Sequence, residues 1–298
     1  MKKILLICIT FNLLTYATEK TKIMAPATPS SIPVIIAARN NDWQVDIFHN
    51  HSKAHSLFLN GKVDILITGL SVGQKFYEQK IPIKIINSYV SGLSYFVSFQ
   101  DSVNNFKSLK DKTIYLPFKG SPLEEVTKFF IAQEELSWNT DIKPQYAPFP
   151  STVNLLLNNK IKHAVLPEPF VSRVINSNQN IKISFSYYKM WNKYTKQNNG
   201  YPQVATFIKA DKKLDKQLLT TLNNALRKSI EFTTNYPDSA LKIVKPKFKF
   251  SKNILQDALI RTHFQLFAGD TLKDVVRNYY QILGKPLDET YQDFFLHY

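Results

Sequence analysis

Three groups of residues carry types and spacings that can do chemistry. Lys119-Gly120-Ser121-Pro122 with Glu124 reads as a helix start: Ser121 is the cap, Pro122 the first helical residue, and Glu124 completes a capping box. A glycine there lets the backbone approach a ligand. The helix end and Lys119 supply positive charge, so an anionic or strongly accepting group is stabilised. Glu168 stands between Pro167 and Pro169, which restrict its backbone and lower the entropy lost when its carboxylate is fixed on a donor. The same residue can equally cap the following helix. His49, His51 and His55 make an HxHxxxH spacing, which offers a metal site or, alternatively, polar cover over a helix capped by Ser52. Walker, GxSxG, HExxH and EF-hand patterns are absent from the sequence, which favours binding over catalysis.

The elements that must position these residues repeat. Lys22 to Leu70 and Thr113 to Phe170 follow one plan, each opening on a short strand pattern that ends in proline, Ile23-Met24-Ala25-Pro26 against Ile114-Tyr115-Leu116-Pro117. A small polar loop and a helical pattern follow, then a second strand (Trp43 to Phe48, and Trp138 to Tyr146). A short helix then stops at Asn60-Gly61 or Asn158-Asn159, which suit a left-handed turn, and enters a third strand. This predicts two βαβαβ units, hence an α/β protein. Thr68-Gly69 and Leu166 to Phe170 end the third strands. Ligands of open parallel sheets bind beyond such carboxyl ends. Ile85 to Phe99, broken at Ser91-Gly92, and Val204 to Ile208 are crossings between units. From Asp211 the pattern is helical up to Tyr236-Pro237, with two further helices, the last but one capped by Thr271 and Asp274 and stopping at Gly284. Tyr95 and Phe170 are aromatic candidates for stacking, with core packing the alternative.

The 298 residues suffice for two domains, and 44% hydrophobic content is that of a globular chain. Thirty-eight Lys and Arg against 23 Asp and Glu give a net charge of +15. The lysines are scattered singly or in pairs, so no nucleic-acid arm is expected. One cysteine, Cys8, excludes a disulfide framework and a CxxC site. Lys2, Lys3, the apolar Ile4 to Leu14 and Thr15-Tyr16-Ala17 read as a cleaved export signal over 1–17, which points to the periplasm.

Lys22 to Ser30, Gly61 to Thr68, SLKDKTIYLPFKGSPLEEV (Ser108 to Val126) and LNNKIKHAVLPEPFVSR (Leu157 to Arg173) together resemble the solute-binding proteins of ABC importers. The group is the one that includes sulfonate, taurine, nitrate and thiamine-pyrimidine binders. The resemblance implies a type II periplasmic-binding-protein fold: two α/β lobes, each a mostly parallel sheet flanked by helices, joined by two strands. Lobe 1 would comprise 18–92 and 211–298, and lobe 2 93–210. It implies ligand contacts at Pro26, Thr28 and Ser30, at Thr68 and Gly69, at Ser91 and Gly92, at Lys119, Gly120 and Ser121, and at Glu168, beside the stacking candidate Phe170. Lys119 and the Ser121 helix end would hold an acceptor, and Glu168 a donor.

The expected activity is capture of a small polar or heteroaromatic molecule by hinge closure and delivery to a membrane permease driven by a cytoplasmic ATPase. A monomer without cofactor is expected, and no enzyme. HNHSKAHS, from His49 to Ser56, departs from the small polar or acidic residues of that group. It keeps open a metal-binding protein through His49, His51 and His55, or a pyrimidine-synthase-like enzyme on the same fold; the Cys-rich motif of the latter is missing once residues 1–17 are removed.

Overall fold

A computed structural model describes residues 20–100, 103–210 and 216–296. The expected export signal, with Cys8, and the expected helix start at Asp211 lie outside the described residues. The first unit runs β1 (Thr21–Pro26), α1 (Ser31–Ala38), β2 (Trp43–Phe48), α2 (His51–Leu59), β3 (Ile65–Gly69) and α3 (Leu70–Glu78). After β4 (Ile83–Gly92) and β5 (Ser94–Phe99), the second unit repeats it as β6 (Thr113–Leu116), α4 (Pro122–Gln133), β7 (Lys143–Tyr146), α5 (Phe149–Leu157), β8 (His163–Pro167) and α6 (Phe170–Ser177). Gly61 and Asn159 both take the left-handed conformation that ends the second helix of each unit (φ 69° and 57°). The chain continues through β9 (Ile181–Ser186), α7 (Tyr187–Thr195), β10 (Val204–Lys209), α8 (Lys216–Asn235), α9 (Pro237–Val244), α10 (Lys252–Ile260), β11 (His263–Ala268) and α11 (Gly269–Ile282).

Two sheets result, in the orders β11-β4-β10-β3-β1-β2 and β7-β6-β8-β5-β9. In each, the first strand of the unit lies parallel between the second and third. The remaining pairings are antiparallel, because β10 and β5 enter from the opposite lobe. Both sheets are therefore mixed, where the sequence implied mostly parallel ones. β10 pairs with β3 and β4, so the chain is back in the first lobe by Val204, where the sequence reading places the return after 210. The second strand of the second unit is shorter than expected, with Trp138 held only in an isolated bridge to Ile142.

The tail differs more. Three helices follow α8, not two, and His263–Ala268 is a strand paired to β4. The last of these helices starts at Gly269 with Ala268 as its cap, so Thr271 and Asp274 lie inside it and form no capping pair. α8 packs on α1, as a first-lobe tail should, while α10 also touches α6 of the second lobe. One apolar core lies on the α1 and α8 side of the first sheet. A second runs unbroken from Phe96, Phe130 and Trp191 through Tyr201 to Tyr279 and Phe294, linking the two lobes beside the crossings. Among the described residues, no helix is long and apolar enough to cross a membrane.

Candidate functional site

The carboxyl ends of β1, β2 and β3 face those of β6 and β8 across an interlobe cleft that is closed in this conformation. Pro122 stands so near Gly69 that a Cβ built on Gly69 would lie 2.5 Å from its Cγ. The Lys75 ammonium, from α3, donates to the Gly120 carbonyl, and the His51 and Phe118 rings meet across the gap at 6.3 Å.

The loop after β1 spends its polar groups on itself. Thr28 and Ser30 share a hydroxyl hydrogen bond of 2.7 Å, Ser31 Oγ donates to the Pro26 carbonyl, and the Tyr89 hydroxyl donates to the Ser30 carbonyl at 2.9 Å. Ser31 and Ile32 N–H groups bond back to Thr28 and Pro29, and Pro33 has none. The amides of Ser31 and Ile32 at the start of α1 are thus taken, and Ser30 is fully buried.

At α4, Ser121 Oγ accepts from Glu124 N at 3.1 Å, as the capping box requires. The Glu124 carboxylate reaches one residue further than expected, to Gly120 N–H, and also accepts from Tyr146 (2.9 Å) and Lys128 (2.7 Å). Burial raises the Glu124 pKa, but the bonds from Lys128, Gly120 and Tyr146 outweigh it and hold the carboxyl below its ordinary value. This helix end therefore already holds an anion, its own. Lys119 is exposed, and the cation at the loop is Lys75. Ser121→Ala should cost about 1 kcal/mol of unfolding free energy, read by urea denaturation.

Glu168 is fully buried and committed to protein. Its Oε1 accepts from Arg261 Nε at 2.6 Å, and its Oε2 from Ser172 N (3.1 Å) and Oγ (2.7 Å). Arg261 also donates to Ser172 Oγ at 2.7 Å. Burial pushes the carboxyl above its ordinary range, against the pull of Arg261 and Ser172. Arg261 belongs to the first-lobe tail, so the residue expected to take a ligand donor instead ties the lobes together. Phe170 packs between Phe149 and Phe250, and Tyr95 donates its hydroxyl to the Arg261 carbonyl at 2.5 Å. Both side chains are packed against protein here.

Ser91 and Gly92 close β4 beside the crossings. Ser91 O accepts from Tyr201 N, and a Cβ on Gly92 would press on Tyr188 at 2.8 Å. Gly200, at φ 65°, approaches the Ser91 carbonyl so closely that only glycine fits. Leu93 links the crossings to the cleft, donating to Gln203 Oε1 at 3.2 Å and accepting from Glu168 N at 2.8 Å.

The three histidines do not converge. His49 is exposed beside Lys249, whereas His51 and His55, one turn apart on α2, face each other edge-on at 5.9 Å. Among the described residues, no group of three or more His, Cys, Asp or Glu could hold a metal ion, so the three-histidine site is not formed. Phe48 packs on His51 (5.0 Å), Phe76 on His55 (5.4 Å), and His55 Nε2 sits 3.4 Å from Thr68 Oγ1. His51 Nδ1 is buried without a hydrogen-bond partner. Burial lowers the pKa of both rings, and burial followed by the neighbouring His51 brings His55 down to about 4. Both are therefore neutral at pH 7. A depressed histidine means the unfolded chain binds more protons, so stability is complete above the ordinary 6.5 and falls as pH drops toward about 4. A urea midpoint that falls over this window in the parent, and falls less in His55→Phe, would check it.

Sequence reasoning missed Arg261, Lys75, Phe76 and Phe118. Phe118 lay inside the quoted SLKDKTIYLPFKGSPLEEV run; tertiary contacts alone bring Lys75 and Phe76 to the cleft and Arg261 to the lobe contact.

No family model matches the chain, and no curated protein matches it. Solved structures do. An ABC transporter from Parabacteroides distasonis is 17% identical, covers 94% of this chain and 99% of its own, and superposes with a TM-score of 0.76. The periplasmic aliphatic sulphonate binding protein of Escherichia coli is 12% identical over 90% of this chain and 86% of its own, at 0.72. A Candida albicans protein described as having the generic periplasmic binding protein fold is 14% identical over 93% and 96%, at 0.66. Whole-chain likeness at such identity is a statement about architecture, and with the duplicated units, the two crossings and the cleft between strand ends it establishes that this chain has the periplasmic-binding-protein fold.

Proposed function

We propose that the protein is the solute-binding component of an ABC import system, closing its lobes on one small polar or heteroaromatic molecule. The observation that carries this reading is the set of contacts across the strand ends, where Lys75 meets Gly120, His51 meets Phe118 and Gly69 meets Pro122. These join the lobes at the strand ends, away from the crossings, the Glu168–Arg261 pair and the shared apolar core that also link them, the geometry of hinge closure. The similarity to import-system binding proteins supports the role. On this reading residues 1–17 direct export to the periplasm, the monomer delivers its ligand to a permease coupled to a cytoplasmic ATPase, and neither nucleic acid nor cofactor takes part.

On this reading the ligand-facing set is Thr68, Gly69, Gly120 and Ser121 with His51, His55 and Phe118, beside a wall shaped by Pro26, Thr28 and Ser30. Ser91, Gly92, Glu168 and Phe170 would then serve the hinge and the lobe contact, and Lys119, exposed next to Gly120, the rim. Native mass spectrometry of protein purified without refolding tests the reading. One small organic molecule per chain, released on denaturation, is expected. Protein that carries none, and whose melting temperature no small molecule raises, would contradict it.

A further inference from the structure

The first turn of α3 carries a hydrogen-bonding group with nothing to bond. Ser71 is fully buried, and its Oγ has no partner. Its direction follows from helix geometry. Gly73 lies on the Phe207 ring of β10, so the helix turns that face to the sheet, and Ser71 and Lys75, each two residues from Gly73, project from the opposite face. Lys75 there reaches the Gly120 carbonyl of the second lobe. The cap residue of this nine-residue helix is Gly69, which has no side chain to satisfy the first amides; Leu70 N–H donates to the Gln203 carbonyl at 3.2 Å, and Pro122 lies over Gly69. A hydroxyl, a helix start and an ammonium thus meet on one side of the cleft. Of the carboxylates of the facing helix, Glu124 is paired with Lys128 and Glu125 through its Oε1 with Lys285, while Glu125 Oε2 is buried without a hydrogen-bond partner.

Next to this polar corner stands a wall of rings. Phe76 adjoins Lys75 in sequence and packs on His55; His55 faces His51, and His51 meets both Phe48 and Phe118. Phe118 is 36% exposed, a large aromatic side chain left open on the lip of the second lobe. Phe48 meets His51 and Phe76 meets His55 edge-on at 5.0 and 5.4 Å, and Phe118 is tilted to His51, an arrangement of rings that a planar aromatic guest can join.

We infer that the cleft takes a small planar aromatic molecule bearing an oxyanion, its ring among His51, His55, Phe76 and Phe118 and its anionic group on Ser71, Lys75 and the start of α3. The inference rests on the binder reading above and narrows it. The neutral imidazoles add no charge to the wall, so the anion is drawn to the α3 end and the ring to the other, which fixes one orientation.

Isothermal titration of the stripped protein with benzoate, cyclohexanecarboxylate and benzamide tests it. Benzoate should bind at least about tenfold more tightly than either isostere, the size expected of one charge-assisted hydrogen bond or one aromatic contact. Lys75→Met should abolish the preference over benzamide, and Phe118→Ala the preference over cyclohexanecarboxylate. Equal binding of benzoate and benzamide, a preference that survives Lys75→Met, or failure of benzoate to bind would each overturn the inference. The molecule released in native mass spectrometry separates the two levels. An uncharged or aliphatic ligand sinks this assignment and leaves the binder reading intact; no ligand at all sinks both.

Discussion

Replacing Arg261 by leucine is expected to remove about 3–5 kcal/mol of unfolding free energy, the cost of leaving a buried carboxylate without its charge partner. Glu168 is fully buried, and Arg261 supplies its only ionic contact within 4 Å among the described residues, with Ser172 giving the other two hydrogen bonds. Burial alone already lifts the Glu168 pKa, so loss of the guanidinium drives the carboxyl toward its protonated form. Pairing Arg261→Leu with Glu168→Gln should recover most of the loss, because the amide keeps an acceptor for Ser172 and carries no charge. Urea denaturation of both variants checks this. A single substitution costing under about 1 kcal/mol would mean that the pair does not tie the lobes as described.

The second large effect falls on closure. Gly69 has φ −65° and ψ 142°, backbone that valine adopts without strain, so Gly69→Val should leave the first lobe folded. In the closed form its Cβ would stand 2.5 Å from the Pro122 ring, and a proline ring cannot swing away. Overpacking of about 1–3 kcal/mol then weighs on the closed state alone, which corresponds to roughly a 5- to 150-fold loss of affinity. Titration with the co-purified molecule would show the loss while the urea midpoint stays close to the parent value. Equal losses in stability and affinity would indicate lobes that move as one body.

Features set by local rules were legible before the structure. The strand that ends on Pro26, the left-handed turns at Gly61 and Asn159, and the Ser121 cap depend on neighbours within a few residues, and each is where the sequence put it, while β6 stops at Leu116, one residue short of Pro117. What failed depends on contacts far along the chain. Glu168 and Arg261 are 93 residues apart, and between two prolines a carboxylate looks free until the tail helix arrives. β11 is a six-residue strand that satisfies a sheet edge offered by β4, and nothing in HFQLFA alone announces that edge. The histidines show the limit of spacing arguments. His49 and His51 alternate as strand residues would, but β2 ends at Phe48 and α2 begins at His51, so the backbone turns between them and sends His49 to solvent. Lys75 was hidden for a similar reason: among so many scattered lysines, only the packing of α3 singles one out.

The central claim is that two lobes close on a small molecule, and small-angle X-ray scattering of the same preparation, stripped and then reloaded with the molecule it carries, tests it most directly. A smaller radius of gyration on reloading, with Gly69→Val remaining at the larger value, is the predicted result. Identical curves for stripped and reloaded parent protein, at saturating ligand, would contradict closure as the mechanism of capture.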